Sequence, residues 1–262
     1  MARGQVALVT GASRGIGAEI ATRLARAGAR VLVAARNIDG CRALVESIEG
    51  EGGRAYALRL DVTDPESVVA CVAEARREVG PVDWLVNNAG IALSAPLQSS
   101  EAEGQYKRHL DVNFHGARRV FEAVLPDMLA AGAGSVVQVA SSAALVGYPY
   151  VAAYCASKHA LLGYSRAAAL ELARKRVALN VVCPHYVESP MLQASVENIC
   201  HKTGKTEEEA RAFLAQENPG GVFVSCDEVA EATYELLAGD RTGVALELIG
   251  GGRRTPDPGL AL

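Results

Sequence analysis

Lysine is scarce in this chain: five of its 26 basic side chains are lysine (Lys107, Lys158, Lys175, Lys202 and Lys205) and the other 21 are arginine. Against 30 acidic side chains the formal net charge is −4, which removes any overall electrostatic drive toward nucleic acid or anionic membranes. The six cysteines form no C-x-x-C pair and no histidine stands at zinc-finger spacing from such a pair. A disulfide framework is therefore excluded, no metal site is expected, and the thiols read as reduced packing residues. Long apolar runs are missing too. The first, Val6 to Val9, is too short for a signal peptide, and the stretch 143–163 is broken by Pro149, Ser157, Lys158 and His159. A cytoplasmic location with no membrane partner is the expectation.

What is present is half apolar residues in 262, ample for a sizeable core. Seven short runs rich in Val, Leu and Ala recur: Val6–Thr10, Arg30–Ala34, Ala55–Leu60, Val82–Asn87, Ser135–Ser141, Val177–Cys183 and Val244–Ile249. Nearly continuous apolar character marks strands covered on both faces. Helix-length stretches alternate with them: Gly15–Gly28, Gly40–Glu51, Pro65–Val79, Glu103–Ala131, Ala152–Arg174 and Asp227–Leu237. Strands alternating with helices call for parallel pairing through right-handed crossovers, hence a doubly wound α/β sheet with helices on both faces. No Pro/Ser-rich linker, repeat or low-complexity tract divides the chain, so residues 1–262 are expected to form one domain. The polar segment 190–221 interrupts the rhythm and reads as a substrate lid.

The first run leads into Gly11-Ala12-Ser13-Arg14-Gly15-Ile16-Gly17. At a strand-to-helix turn, glycines let the backbone approach a pyrophosphate, while the helix that follows aims free N–H groups and its positive dipole end at it. Such a turn also occurs for purely structural reasons; its place after the first strand is the context dinucleotide binding requires. Tyr154 and Lys158 are four apart and so share one helix face. A tyrosine with a pKa of about 10 exchanges protons poorly at neutral pH, and a neighbouring ammonium would lower that value. The alternative is an ordinary amphipathic surface. At the end of the second run an acidic residue would bind a ribose 2′-OH, but Ala35 stands there, followed by Arg36. Arg36 and Arg14 can both reach a 2′-phosphate as bidentate forks. NADP(H) is thus preferred over NAD(H), unless Arg36 is only a surface residue beside a permissive pocket.

Taken together, Gly11-x-x-x-Gly15-x-Gly17, Asn87-Asn88-Ala89-Gly90 and Tyr154-x-x-x-Lys158 resemble the classical short-chain dehydrogenase/reductase family over essentially the whole chain. The resemblance implies a seven-stranded Rossmann sheet in the order 3-2-1-4-5-6-7, usually assembled as a homotetramer (or homodimer). It also implies a catalytic set of Asn113, Ser141, Tyr154 and Lys158, with Ser142 as the serine if the loop is shifted by one. Cofactor contacts are implied for Gly11, Ser13, Arg14, Gly15, Ile16, Gly17, Arg36, Asp61, Val62, Asn88, Ala89, Gly90, Tyr154 and Lys158. Pro184, Val187 and Ser189 follow from the family pattern after the sixth strand, where His185 replaces the usual glycine. That imidazole either narrows the pocket and meets a polar group, or turns outward. Ser142, Tyr148, His185 and Tyr186 are the expected pocket wall. The chain is similar to 3-oxoacyl reductases, polyketide-type ketoreductases and hydroxyacyl dehydrogenases, implying hydride transfer between a nicotinamide and a ketone or secondary alcohol as small-molecule substrate. Alternatives are an NAD-linked hydroxyacyl or alcohol dehydrogenase, an imine reductase, and a non-catalytic dinucleotide-binding protein.

Overall fold

The computed structural model describes residues 2, 4–100 and 102–261. Its strands are β1 (Val6–Thr10), β2 (Arg30–Ala35), β3 (Arg54–Arg59), β4 (Trp84–Asn87), β5 (Gly134–Val139), β6 (Val177–Pro184), β7 (Arg241–Leu248) and β8 (Arg253–Ala261). They form one sheet in the order β3-β2-β1-β4-β5-β6-β7-β8. The seven expected strands are present and all pair in parallel. The count differs by one: β8 adds antiparallel to β7 at the edge. Pro256 and Pro258 cannot donate to a ladder and read as a loop in sequence, but an edge strand tolerates them.

Alternation along the strands sorts the core into two layers. Ala7 and Val9 of β1 face one side, packing with Ile20 and Leu24 of α1 (Gly15–Arg26), Ile48 of α2 (Ile38–Gly50) and Val229 of a later helix. Val6 and Leu8 face the other, against Val68 and Val72 of α3 (Pro65–Glu78) and Phe121 and Met128 beyond it. The stretch 103–131, expected as one helix, is three pieces. These are α4 (Ala102–His109), a seven-residue π-helical segment (Leu110–Gly116) and α5 (Ala117–Ala131). After β5 comes α6 (Ala152–Leu172). The segment after β6 holds α7 (Pro190–Thr203) and α8 (Glu207–Gln216), whose Leu192, Val196, Ala210 and Leu214 make a small core of their own. Finally, α9 (Cys226–Ala238) leads to β7. No described helix is long and apolar enough to cross a membrane.

All six thiols are free; Cys41, Cys71, Cys155 and Cys183 are buried, while Cys200 on α7 and Cys226 at the start of α9 are half-buried. The strand order reverses between β1 and β4, so crossovers leave in opposite directions there and open a crevice beyond the carboxyl ends of the strands. The chemistry-bearing residues collect at that end.

Candidate active site

The glycine turn closes on the β4 loop. The Thr10 hydroxyl accepts the N–H groups of Asn88 (3.0 Å) and Ala89 (3.1 Å), and Asn88 Nδ2 donates to the Thr10 and Gly11 carbonyls. Little room is left between them: a Cβ on Gly11 would lie 2.8 Å from Ala89 Cα, and one on Gly17 would lie 2.5 Å from the Gly11 carbonyl oxygen. Above this turn α1 begins without a side-chain cap at Arg14 and without an acid in its first turn. By contrast α2, α3, α7, α8 and α9 are capped by Asn37, Asp64, Ser189, Thr206 and Ser225. Uncapped N–H groups at a glycine turn beside exposed Arg14 fit a phosphate-bearing dinucleotide.

At the end of β3, Asp61 accepts from Thr63 N (3.0 Å) and the Thr63 hydroxyl (2.7 Å). Burial pushes its carboxyl up, but those bonds and the charges of Arg36 and Arg59 outweigh it, and the net shift is downward. Exposed Arg36 therefore stands close enough to Asp61 to act on it, and Arg59, level with Ala35 on the neighbouring strand, joins it there. Val62 is buried against Gly116, where a Cβ would meet it at 2.7 Å.

Asn113, Ser141, Tyr154 and Lys158 come from three elements to one place. Asn113 sits in the π-helical segment; its Oδ1 accepts from Ile91 N (2.8 Å), and its Nδ2 donates to Ile91 O (2.9 Å) and the Ser157 hydroxyl (3.0 Å). Its amide thus pins the loop after β4 to α6. A Cβ on Gly90 would lie 3.3 Å from Asn113 Oδ1 and 3.7 Å from Lys158 Nζ. Lys158 is buried and donates to the Val139 carbonyl at 2.8 Å, the last residue of β5. Its Nζ lies 5.8 Å from the centre of the Tyr154 ring. Burial lowers the ammonium to about 8.

The Tyr154 phenol moves opposite to the expectation of a lowered value. Burial pushes it up to about 12, and the hydrogen bond with the Ser141 hydroxyl opposes this only in part. The cause is burial: the dry surroundings disfavour both charged forms. Ser141, extended at the head of a short 3-10 turn (Ser142–Ala144), also accepts from Ala143 N at 3.2 Å. Ser142 is buried and faces Tyr148, so Ser141 is the serine that meets Tyr154.

Around this centre, Tyr186 packs edge-on to Tyr148 with ring centres 6.1 Å apart. His185 turns inward rather than outward: its Nε2 is 2.8 Å from Glu247 Oε1 and its Nδ1 is 3.4 Å from the Tyr148 hydroxyl. Pro184 ends β6, Val187 is buried in a bridge to Val224, and Ser189 caps α7 by accepting from Leu192 N at 3.4 Å. Ser13 borders α2, where a Cβ on Gly40 would meet its own at 3.1 Å. Ile16 packs into the sheet-side core.

Three residues beside the site escaped the sequence reading. His109 is fully buried and packs edge-on to Tyr154, ring centres 6.1 Å apart. Its Nε2 accepts from Leu93 N (3.0 Å), which leaves Nδ1 to donate to Gln105 O (2.8 Å). Burial depresses its pKa, so the ring is neutral. Its signal was position, one helical turn before Asn113. Asn218 clamps the backbone of Tyr186, accepting from its N (2.9 Å) and donating to its O (3.0 Å). Glu247 was visible as the single charge in the apolar run 244–249.

Residues 5–199 match the family model described as short chain dehydrogenase. A putative ketoacyl reductase of Streptomyces coelicolor is 39% identical over 94% of this chain and 96% of its own length. The 3-oxoacyl-(acyl-carrier-protein) reductase FabG of Escherichia coli is 33% identical over 95% of this chain and 97% of its own. Among solved structures, an actinorhodin polyketide ketoreductase variant with NADPH superposes with a TM-score of 0.89 at 36% identity, covering 96% of this chain and 98% of that one. With a family model matched over most of its length and relatives above 30% identity covering nearly all of it, the chain belongs to the short-chain dehydrogenase/reductase family.

Proposed function

We propose that this protein is an NADP(H)-dependent oxidoreductase that transfers hydride between the nicotinamide and a ketone or secondary alcohol, acting as a carbonyl or 3-oxoacyl-type reductase. The observation that carries the reading is the meeting of Ser141, Tyr154, Lys158 and Asn113 at the strand ends, beside the uncapped start of α1. A scaffold protein would not need all four. The ketoacyl reductase names of its relatives, and NADPH in a solved neighbour, supply the substrate class and cofactor.

Bound at this site, the nicotinamide supplies or accepts the hydride. Gly11, Ser13, Gly15, Ile16 and Gly17 present backbone to the pyrophosphate. Arg14 and Arg36 would hold the 2′-phosphate, Asp61 and Val62 would contact the adenine, and Asn88, Ala89 and Gly90 would line the cofactor site. Pro184, Val187 and Ser189 face the carboxamide end. In the reductive direction Ser141 donates to the substrate oxygen and polarises the carbonyl. Tyr154, held protonated, delivers its proton to that oxygen as charge develops. Lys158 supplies positive charge to the phenolate left behind and binds the ribose. Asn113 holds the loop that carries Gly90 against this pair.

Ser142, Tyr148, His185 and Tyr186 form the pocket wall. One domain over 1–262, a lid at 190–221, a cytoplasmic location and a homotetramer (or homodimer) complete the proposal. In its support, Asn198 of α7 donates to the Ser94 hydroxyl at 3.0 Å, tying the lid to the loop after β4.

The test is a panel of β-ketoesters, acyl thioesters, cyclic ketones and imines, followed by loss of NADPH absorbance with NADH in parallel. Turnover of β-ketoacyl substrates with NADPH is the expected result. Turnover of imines alone, preference for NADH, or none with any member would overturn the reading.

A further inference from the structure

Glu247 occupies β7 among buried neighbours Val244, Ala245, Leu246 and Leu248. Its side chain is 14% exposed and that of its partner His185 is 7% exposed. A carboxylate so enclosed is costly unless it is hydrogen-bonded. A carboxylate only accepts, so the 2.8 Å contact places the imidazole proton on Nε2. Nδ1 is then left as an acceptor, 3.4 Å from the Tyr148 hydroxyl. A phenol has a single proton, which here goes to Nδ1, so the Tyr148 oxygen accepts from the Ser142 hydroxyl across their 2.9 Å contact. Ser142 opens the short 3-10 turn directly after Ser141, whose hydroxyl meets the Tyr154 phenol. The Tyr148 ring is braced edge-on by Tyr186, whose backbone Asn218 clamps. A continuous polar strut therefore runs from the carboxyl end of β7 to the serine turn.

We infer that Glu247 and His185 are positioning residues which, through Tyr148 and Ser142, hold the Ser141 hydroxyl aimed at Tyr154 and the substrate oxygen. This rests on the proposed reductase activity. His185 thereby has work that the glycine usual at its place does not perform: from the pocket wall it holds the serine turn. The strut joins the ends of β5, β6 and β7, so loosening any member releases the same turn.

The decisive measurement is a double-variant cycle in kcat with NADPH and a β-ketoester. Tyr148→Phe and Glu247→Leu should each lower kcat about tenfold or more, while the double variant falls less than about threefold below the worse single, because links of one chain are not additive. For Glu247→Leu the loss should fall on kcat, with KM and NADPH affinity unchanged within about threefold. Glu247→Gln, whose amide oxygen still accepts from Nε2–H, should restore wild-type kcat within about threefold. Additive losses, or a Glu247→Leu enzyme with wild-type kcat, would overturn the strut. Ring carbon and nitrogen NMR shifts of His185 in the unsubstituted protein give a second test that needs neither turnover nor a variant that folds. Nε2–H is expected, and Nδ1–H with a bare Nε2 would sink the proposal. A wild-type protein that lacks NADPH-linked turnover would count against the reductase activity, leaving the ring's proton to decide the strut.

Discussion

Lys158 is a cation placed where burial works against it, and stability should record the cost. Its pKa falls from 10.5 unfolded to about 8 folded. Between those values the unfolded chain binds more protons, so stability rises with pH there, and the penalty is complete below about pH 8. A shift of this size corresponds to about 3 kcal/mol. Lys158→Met should therefore be more stable than wild type by up to about 3 kcal/mol near neutrality, with the advantage shrinking toward pH 10.5. Chemical denaturation across that range checks it. Activity should move the other way. Tyr154→Phe should abolish turnover while NADPH affinity, read by fluorescence, stays within about threefold, since only a hydroxyl is removed. Arg36→Asp should shift preference toward NADH, as an acid at the end of β2 repels a 2′-phosphate; an unchanged cofactor ratio would contradict Arg36 as its ligand. Tyr154 and Lys158 were legible because a four-residue spacing fixes a shared face. The direction of the Tyr154 shift was not, because it depends on how dry the folded surroundings of the pair become.

At the scale of elements, the glycine turn was readable because its glycines are forced by contact. Gly17→Ala would set a methyl 2.5 Å from the Gly11 carbonyl and 2.4 Å from Asn88 Nδ2. Backbone cannot yield as a flexible side chain would, so the turn must shift, at about 1–3 kcal/mol. We expect NADPH binding weakened about tenfold or more and a lower midpoint of thermal unfolding, both measured on the same preparation. The π-helical segment was not readable. Helical periodicity continues through 103–131, and the register change that brings Asn113 onto Ile91 and Ser157 is a tertiary choice. β8 was hidden for a different reason. Its prolines and Gly259 look like a tail until the edge of β7 supplies a partner.

For the molecule as a whole, β8 is tied to helices on both faces of the sheet, by Arg166 of α6 to Asp257 (2.6 Å) and by Arg253 to Glu235 of α9. These exposed pairs contribute little each; the larger effect of β8 is to cover the edge of β7. A chain ending at residue 252 should unfold at lower denaturant and scatter more light on standing, because an open strand edge invites pairing between copies. The two-layered sheet was legible in the apolar runs, whereas the strut from Glu247 to Ser142 joins residues more than a hundred positions apart and leaves no local pattern. The thiols have one more consequence. Burial raises Cys226 to about 11 and both Cys71 and Cys183 to about 12, Cys41 is raised as well, and Cys155 is enclosed. Cys200, half-buried on α7, is left as the natural attachment point for a maleimide dye. The unmodified protein thus carries its own fluorescent reporter position on the segment that ties to the loop at Ser94, and movement of that segment during turnover can be followed without engineering a single residue.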